Sequence, residues 1–157
     1  MDLIIKQNSK GLNPDIQAVG CFFVSALAIA QMHSNKNLTK AQYNKLWELA
    51  HARKYMKNRN MVVSAKVINL AFDELGVRKW ATEVGTSLGG YYVWVRDNPS
   101  YQRVDACIQK IRQPKGSRYP MHFRVTNING ELLFDPYSPE IKSARSEYTI
   151  WYCIKDY

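Results

Sequence analysis

Cys21, His122 and Asp135 are the residues whose types and surroundings allow covalent chemistry. Cys21 follows Gly20 and precedes "FFVSALAIAQ", a helix-compatible apolar run that puts its thiol at a helix N-terminus. The partial positive charge there favours a thiolate, and a backbone N–H can donate to a tetrahedral oxyanion. His122 and Asp135 lie on either side of Asn129-Gly130 in "MHFRVTNINGELLFDP". Asn-Gly between alternating apolar residues predicts a hairpin. With residues 129–130 as a two-residue turn, Arg124 pairs with Asp135 and His122 with Tyr137. All four then project from one face, and His122 and Asp135 are diagonal neighbours about 7–8 Å apart at the backbone. A carboxylate beside an imidazole fixes its tautomer and stabilises the imidazolium. A thiol whose proton passes to such an imidazole is the nucleophile that acyl transfer needs.

The same residues also allow a plainer reading. Cys21 can be a small buried hydrophobe, and His122 a surface strand histidine. Asp135-Pro136 can be a simple turn start, with Arg124 opposite Asp135 as a cross-strand ion pair. His33 and His51 compete poorly as bases. His51 ends a helix, where a positive side chain suits the dipole, and His33 follows the apolar run.

Helices must position the cysteine, and strands the other two residues. After Cys21, apolar residues occupy nearly every helical face to Met32, the pattern of a helix buried all round. Thr39 and Gln42 predict a capping box opening a second helix, with Tyr43, Leu46, Trp47 and Ala50 on its inner face. A third helix is expected over 64–75, with Ala65, Ile68, Phe72 and Leu75 inward and Gly76 as its stop. "KWATEV" and "YYVWV" read as strands. A short helix is expected between "DNPS" and "RQPKG", where Val104, Cys107, Ile108 and Ile111 share a helical face. Strands follow at 121–128, 131–137 and 148–153. Helices first and antiparallel strands afterwards predict an α+β domain, and no linker divides residues 1–157.

The composition, 46% apolar and 22% charged, is that of a globular chain with a substantial core. No secretory signal is evident at the start, and the apolar run after Cys21 is too short to span a membrane. Three widely spaced cysteines fit a reducing, cytoplasmic setting better than a disulfide framework, and they lack the pairing of a zinc site. The net charge is +9, and residues 35–66 carry eight Lys or Arg against one acid, Glu48. Such a segment is either a solvated face or a surface for nucleic acid, anionic wall polymers or an acidic partner.

Taken in order, "Q…GC" at the head of a buried helix and then "MHFRVTNINGELLFDP" resemble the papain-like cysteine peptidases. The likeness is strongest to the branch that cuts bacteriocin leaders after double glycine, and to small bacterial and prophage relatives. The resemblance implies a papain-like fold, with N-terminal helices around a buried central helix on a C-terminal antiparallel sheet. It also implies a catalytic triad of Cys21, His122 and Asp135, in the family's chain order. A glutamine ahead of the nucleophile donates to the oxyanion in such enzymes, which points to Gln17. Gln17 stands four residues before Cys21 where the family spacing is about six, and Gln7 lies further upstream. Phe22 stands where that branch commonly has glycine.

The function expected is that of a cysteine-dependent hydrolase, a thiol peptidase acting on peptides or on peptidoglycan amides. No metal or organic cofactor is required, and a phage-encoded enzyme of this kind can be released by lysis. The alternative is a non-catalytic papain-like scaffold that holds nucleic acid or an acidic partner on its basic face.

Overall fold

The chain's most apolar segment becomes its central helix. In a computed structural model, which describes residues 3–57, 60–61, 63–88, 95–96, 98, 103–112, 121–137 and 145–157, a short helix α1 (Pro14–Val19) runs into α2 (Cys21–Ser34). Phe23, Val24, Leu27 and Ile29 of α2 are fully enclosed together with Ala26, Ala28 and Ala30. The small alanines let neighbouring elements approach closely, and α2 packs on α1, on α4 (Ser64–Leu75) and on the sheet.

The other two helices follow their sequence signals. α3 (Lys40–Ala52) opens with the expected capping box: Thr39 Oγ1 accepts from the Gln42 N–H, and the Gln42 side chain accepts from the Thr39 N–H. Tyr43, Leu46, Trp47 and Ala50 form its buried face. α4 stops at Gly76, whose left-handed φ of 71° suits glycine. Between α3 and α4 lies a small hairpin of β1 (Met56–Lys57) and β2 (Asn60–Met61).

The second half supplies a five-stranded antiparallel sheet. Its strands are β3 (Lys79–Ser87), β4 (Ala106–Arg112), β5 (Met121–Thr126), β6 (Leu132–Phe134) and β7 (Arg145–Asp156). They lie in the order β3-β7-β4-β5-β6. The chain is therefore α+β, helices first and antiparallel sheet afterwards, as the sequence predicts. One sheet face contributes Ala81, Ile108, Val125, Ile150 and Ile154 to the core beneath the helices. The other face buries Cys107 and Trp151 with Val84, Val95 and Val104.

Two expectations need correction. Residues 106–112 form the strand β4 and not a helix. Ala106, Cys107 and Ile108 are buried consecutively because β4 lies between β5 and β7 with both faces covered. Burial on both faces produces a run of apolar residues that mimics helical spacing. Cys107 is nonetheless buried. Of the expected strand "YYVWV", residues 91–94 lie outside the described residues, and Val95 is helical, not extended.

The hairpin turn also differs in detail. The Gly130 N–H donates to the Asn127 carbonyl, and Gly130 takes the left-handed φ of 84°. The Asn127 side chain accepts from the N–H groups of Asn129 and Glu131. This is a longer turn ending on glycine, stabilised by Asn127. Alone it would shift the register by one residue and move Asp135 to the wrong face. A bulge between Val125 and Thr126 in the pairing restores it: Thr126 faces Leu132, but Val125 faces Phe134. The pairing expected from the sequence is thereby recovered where it matters for the site.

Candidate active site

Cys21 opens α2 because Gly20 allows two helices to meet without a gap. The Gly20 N–H closes α1 on the Ile16 carbonyl at 2.8 Å, and the Gly20 carbonyl accepts from Val24 as the first bond of α2. A Cβ on Gly20 would stand 2.4 Å from the Ile16 oxygen, so a larger residue cannot hold this junction unmoved. Gly20 gives α2 no side-chain cap, leaving the first-turn N–H groups available to a ligand beside the thiol. Cys21 is half-buried, unlike Cys107 and Cys153, which are buried.

His122 lies near the start of β5 and is only 2% exposed; Asp135 follows β6 and is fully enclosed. Their side chains meet with Nε2 2.6 Å from Oδ1. The same Oδ1 accepts from the Tyr137 N–H at 2.9 Å, so Asp135 also caps the turn through Pro136. The turn reading and the site reading of Asp135 thus describe one geometry. Arg124, expected opposite Asp135, donates from Nε to Gln109 at 2.9 Å.

Cys21 is the other group that acts on His122, as a neighbour whose sulfur favours the charged ring. With Nε2 directed at Asp135, Nδ1 is the ring nitrogen left to face the sulfur. Burial alone would push the imidazole down, but the hydrogen bond to Asp135 and the neighbouring Cys21, with the negative charges of both, raise it to about 9. The ring is therefore charged at neutral pH, between a carboxylate and a sulfur. Burial pushes both the Cys107 and Cys153 thiols up, and Cys107 is bonded to Thr126.

Gln17 lies on α1, and its Nε2 donates to the Ser9 carbonyl at 2.8 Å, which ties one amide hydrogen to the preceding turn. Gln7 is more deeply placed, with 2% exposure. Its Nε2 donates to the Gln17 carbonyl at 3.2 Å, while its Oε1 is buried without a hydrogen-bond partner. The Gln7 N–H donates to the Pro136 carbonyl at 2.6 Å. One residue earlier, Lys6 donates from Nζ to the Asp135 carbonyl, and the same Nζ lies 4.4 Å from the Phe134 ring centroid. The N-terminal segment is thus fastened over the carboxylate's backbone. Nothing in the local sequence signals this, since the contact joins residues 129 positions apart.

Elsewhere, His51 bonds the Trp47 carbonyl within its own helix, and His33 lies in the last turn of α2. Among the described residues no group of three or more His, Cys, Asp or Glu side chains is arranged to hold a metal ion. No described helix is long and apolar enough to cross a membrane. No family model, curated protein or solved structure matches the chain.

Proposed function

We propose that this chain is a cysteine-dependent hydrolase, a peptidase of papain-like architecture acting through Cys21, His122 and Asp135. One observation carries the reading: a buried histidine bonds a buried carboxylate at 2.6 Å and has the helix-opening cysteine as its other electrostatic neighbour. A packing histidine has no need of either partner, and the two together match a nucleophile, its base and an orienting group. The central helix against an antiparallel sheet supports the papain-like architecture.

In the reaction, the Cys21 sulfur attacks the carbonyl carbon of the scissile amide, and a C–S bond forms as the oxygen takes the electron pair. N–H groups at the start of α2 stabilise that oxyanion, joined by a carboxamide from Gln17 or Gln7. The C–N bond then breaks, and His122 gives its proton to the departing amine. Water attacks the thioester while His122 accepts a proton from it, and the acid leaves with the sulfur restored. Asp135 keeps the imidazole turned toward the sulfur throughout.

The test is incubation with a mixed peptide library, read by mass spectrometry. Cleavage that disappears in Cys21→Ser and in His122→Ala is expected. Cleavage that survives Cys21→Ser would overturn the assignment, as would a native Cys21 that iodoacetamide fails to label.

A further inference from the structure

The residues next to the site lead away from it along one aromatic path. Phe22, the residue after Cys21, stacks on Phe123, the residue after His122, with ring centroids 4.2 Å apart and planes 7° from parallel. Tyr148 of β7 meets Phe123 edge-on at 6.5 Å, and the Lys110 ammonium lies 5.1 Å from the Tyr148 ring centroid. All three rings are only half-buried.

The path ends in a concentration of positive charge. Arg112 of β4 stands directly opposite Arg145 of β7, and Arg112 also pairs with Met121, the residue before His122. Like charges facing each other across a ladder are unfavourable. A single carboxylate is shared here: Glu147 lies 2.9 Å from Arg112 and 3.3 Å from Lys110. Arg145 has no carboxylate partner among the described residues. Two cations and one anion thus line a cleft of about 480 Å³ formed by Leu88, Arg112, Arg145, Ser146 and Glu147, a volume in the range of ligand sites, and Lys110 adjoins it through Glu147.

We propose that this cleft binds the carboxylates of an acidic peptide, with an apolar residue on the Phe22–Phe123–Tyr148 rings and acidic residues beyond it at Arg112 and Arg145. The inference deepens the hydrolase reading by naming its substrate class, and it rests on that reading for the position of the scissile bond. A peptide is favoured because the charge lies at the end of an aromatic path that begins beside the nucleophile. Guanidinium groups suit planar carboxylates, and among the described residues Arg145, unlike Arg112, makes no ion pair with a carboxylate. Glu147 acts as a built-in competitor for Arg112.

The test measures binding to Cys21→Ser protein, which cannot turn the probe over, by fluorescence anisotropy. The probes are a labelled phenylalanine-containing peptide ending in a run of glutamates, its glutamine counterpart, and an oligothymidylate of equal charge. The glutamate peptide should bind about tenfold more tightly than the glutamine peptide. Arg112→Gln and Arg145→Gln should each weaken it about threefold, the size expected of exposed ion pairs. Glu147→Gln should tighten it, a gain that a merely structural role would not produce. Arg145→Glu should remove most of the preference. Equal binding of the two peptides would overturn the proposal, as would an oligothymidylate that binds more tightly with the same arginine dependence. The parent reading fails separately. An unlabelled native Cys21 with the glutamate preference intact sinks the hydrolase and keeps the cleft, whereas a reactive Cys21 without the preference sinks only the cleft.

Discussion

His122 Nε2 and Asp135 Oδ1 are 2.6 Å apart inside the protein, and the same oxygen accepts from the Tyr137 N–H. An asparagine can reproduce both acceptor contacts but not the negative charge. Asp135→Asn should therefore fold and lose about tenfold in kcat/KM, whereas Asp135→Ala should lose about a thousandfold because the ring is no longer oriented. In both, the alkaline limb of the pH–rate profile should move below the wild-type value of about 9 set by His122. Rate profiles that superimpose on wild type in both variants would show Asp135 to be only a turn residue.

The three thiols should separate by reactivity. Cys107 and Cys153 are buried and pushed up by that burial, while Cys21 is half-buried and neighbours a charged imidazole. Iodoacetamide at mildly acidic pH should label Cys21 first, and peptide mapping identifies the site. His122→Ala should slow that labelling about tenfold or more, since the base that takes up the thiol proton is gone. Labelling unaffected by His122→Ala would remove the basis for activation.

The helices were legible because their signals are local. The Thr39–Gln42 capping box, the Gly76 stop and the apolar continuity of α2 each lie within one element. β4 carries a helix-like pattern because burial on both faces erases the alternation that marks a strand, and whether both faces are covered is decided by elements distant in sequence. At the site, the pairing of His122 with Asp135 followed from the Asn129-Gly130 signal, although two departures had to cancel. The turn begins at Asn127, and the bulge beside Leu133 takes up the extra residue. Leu133 remains 55% exposed, so its apolar type gave no hint that it is the bulged position. The ties from Lys6 and Gln7 to Asp135 and Pro136 had no signal at all, because they are single contacts across almost the whole chain.

Gly20 should tolerate no side chain. Its phantom Cβ approaches Ile16 to 2.4 Å at the carbonyl oxygen and 2.9 Å at Cα, backbone atoms that cannot swing aside. Gly20→Ala should cost about 1–3 kcal/mol, as overpacking does, read from the urea midpoint at unchanged slope. Because the strain falls on the residue before Cys21, alkylation of Cys21 should also slow. A variant as stable as wild type would mean that the α1–α2 junction is not held as described.

Gln7 and Gln17 can be told apart as oxyanion donors. Gln17 Nε2 is tied to Ser9 and Gln7 Nε2 to the Gln17 carbonyl, so each keeps one amide hydrogen for an oxyanion, but the Gln7 N–H bond to Pro136 holds that residue beside Asp135. Gln7→Ala should lower kcat about a hundredfold, within the range for losing one such donor, with Cys21 alkylation unchanged because that reaction develops no oxyanion. Gln17→Ala should lower kcat less. The reverse order would return the role to Gln17.

His122 should also leave a mark on folding stability. An unfolded histidine titrates near 6.5, and in the folded protein the Asp135 and Cys21 contacts outweigh burial and raise His122 to about 9. The folded state thus holds the proton more tightly, and its stability falls with rising pH wherever it binds more protons than the unfolded chain. The contribution is fully present below about pH 6.5 and is lost as pH climbs through about 9. Denaturant unfolding of wild type and His122→Gln across that interval is the measurement. The stability gap between them should be largest on the acidic side and shrink steadily toward alkaline pH. A gap that stays constant or widens with pH would mean that the imidazole is not held as a cation between Cys21 and Asp135.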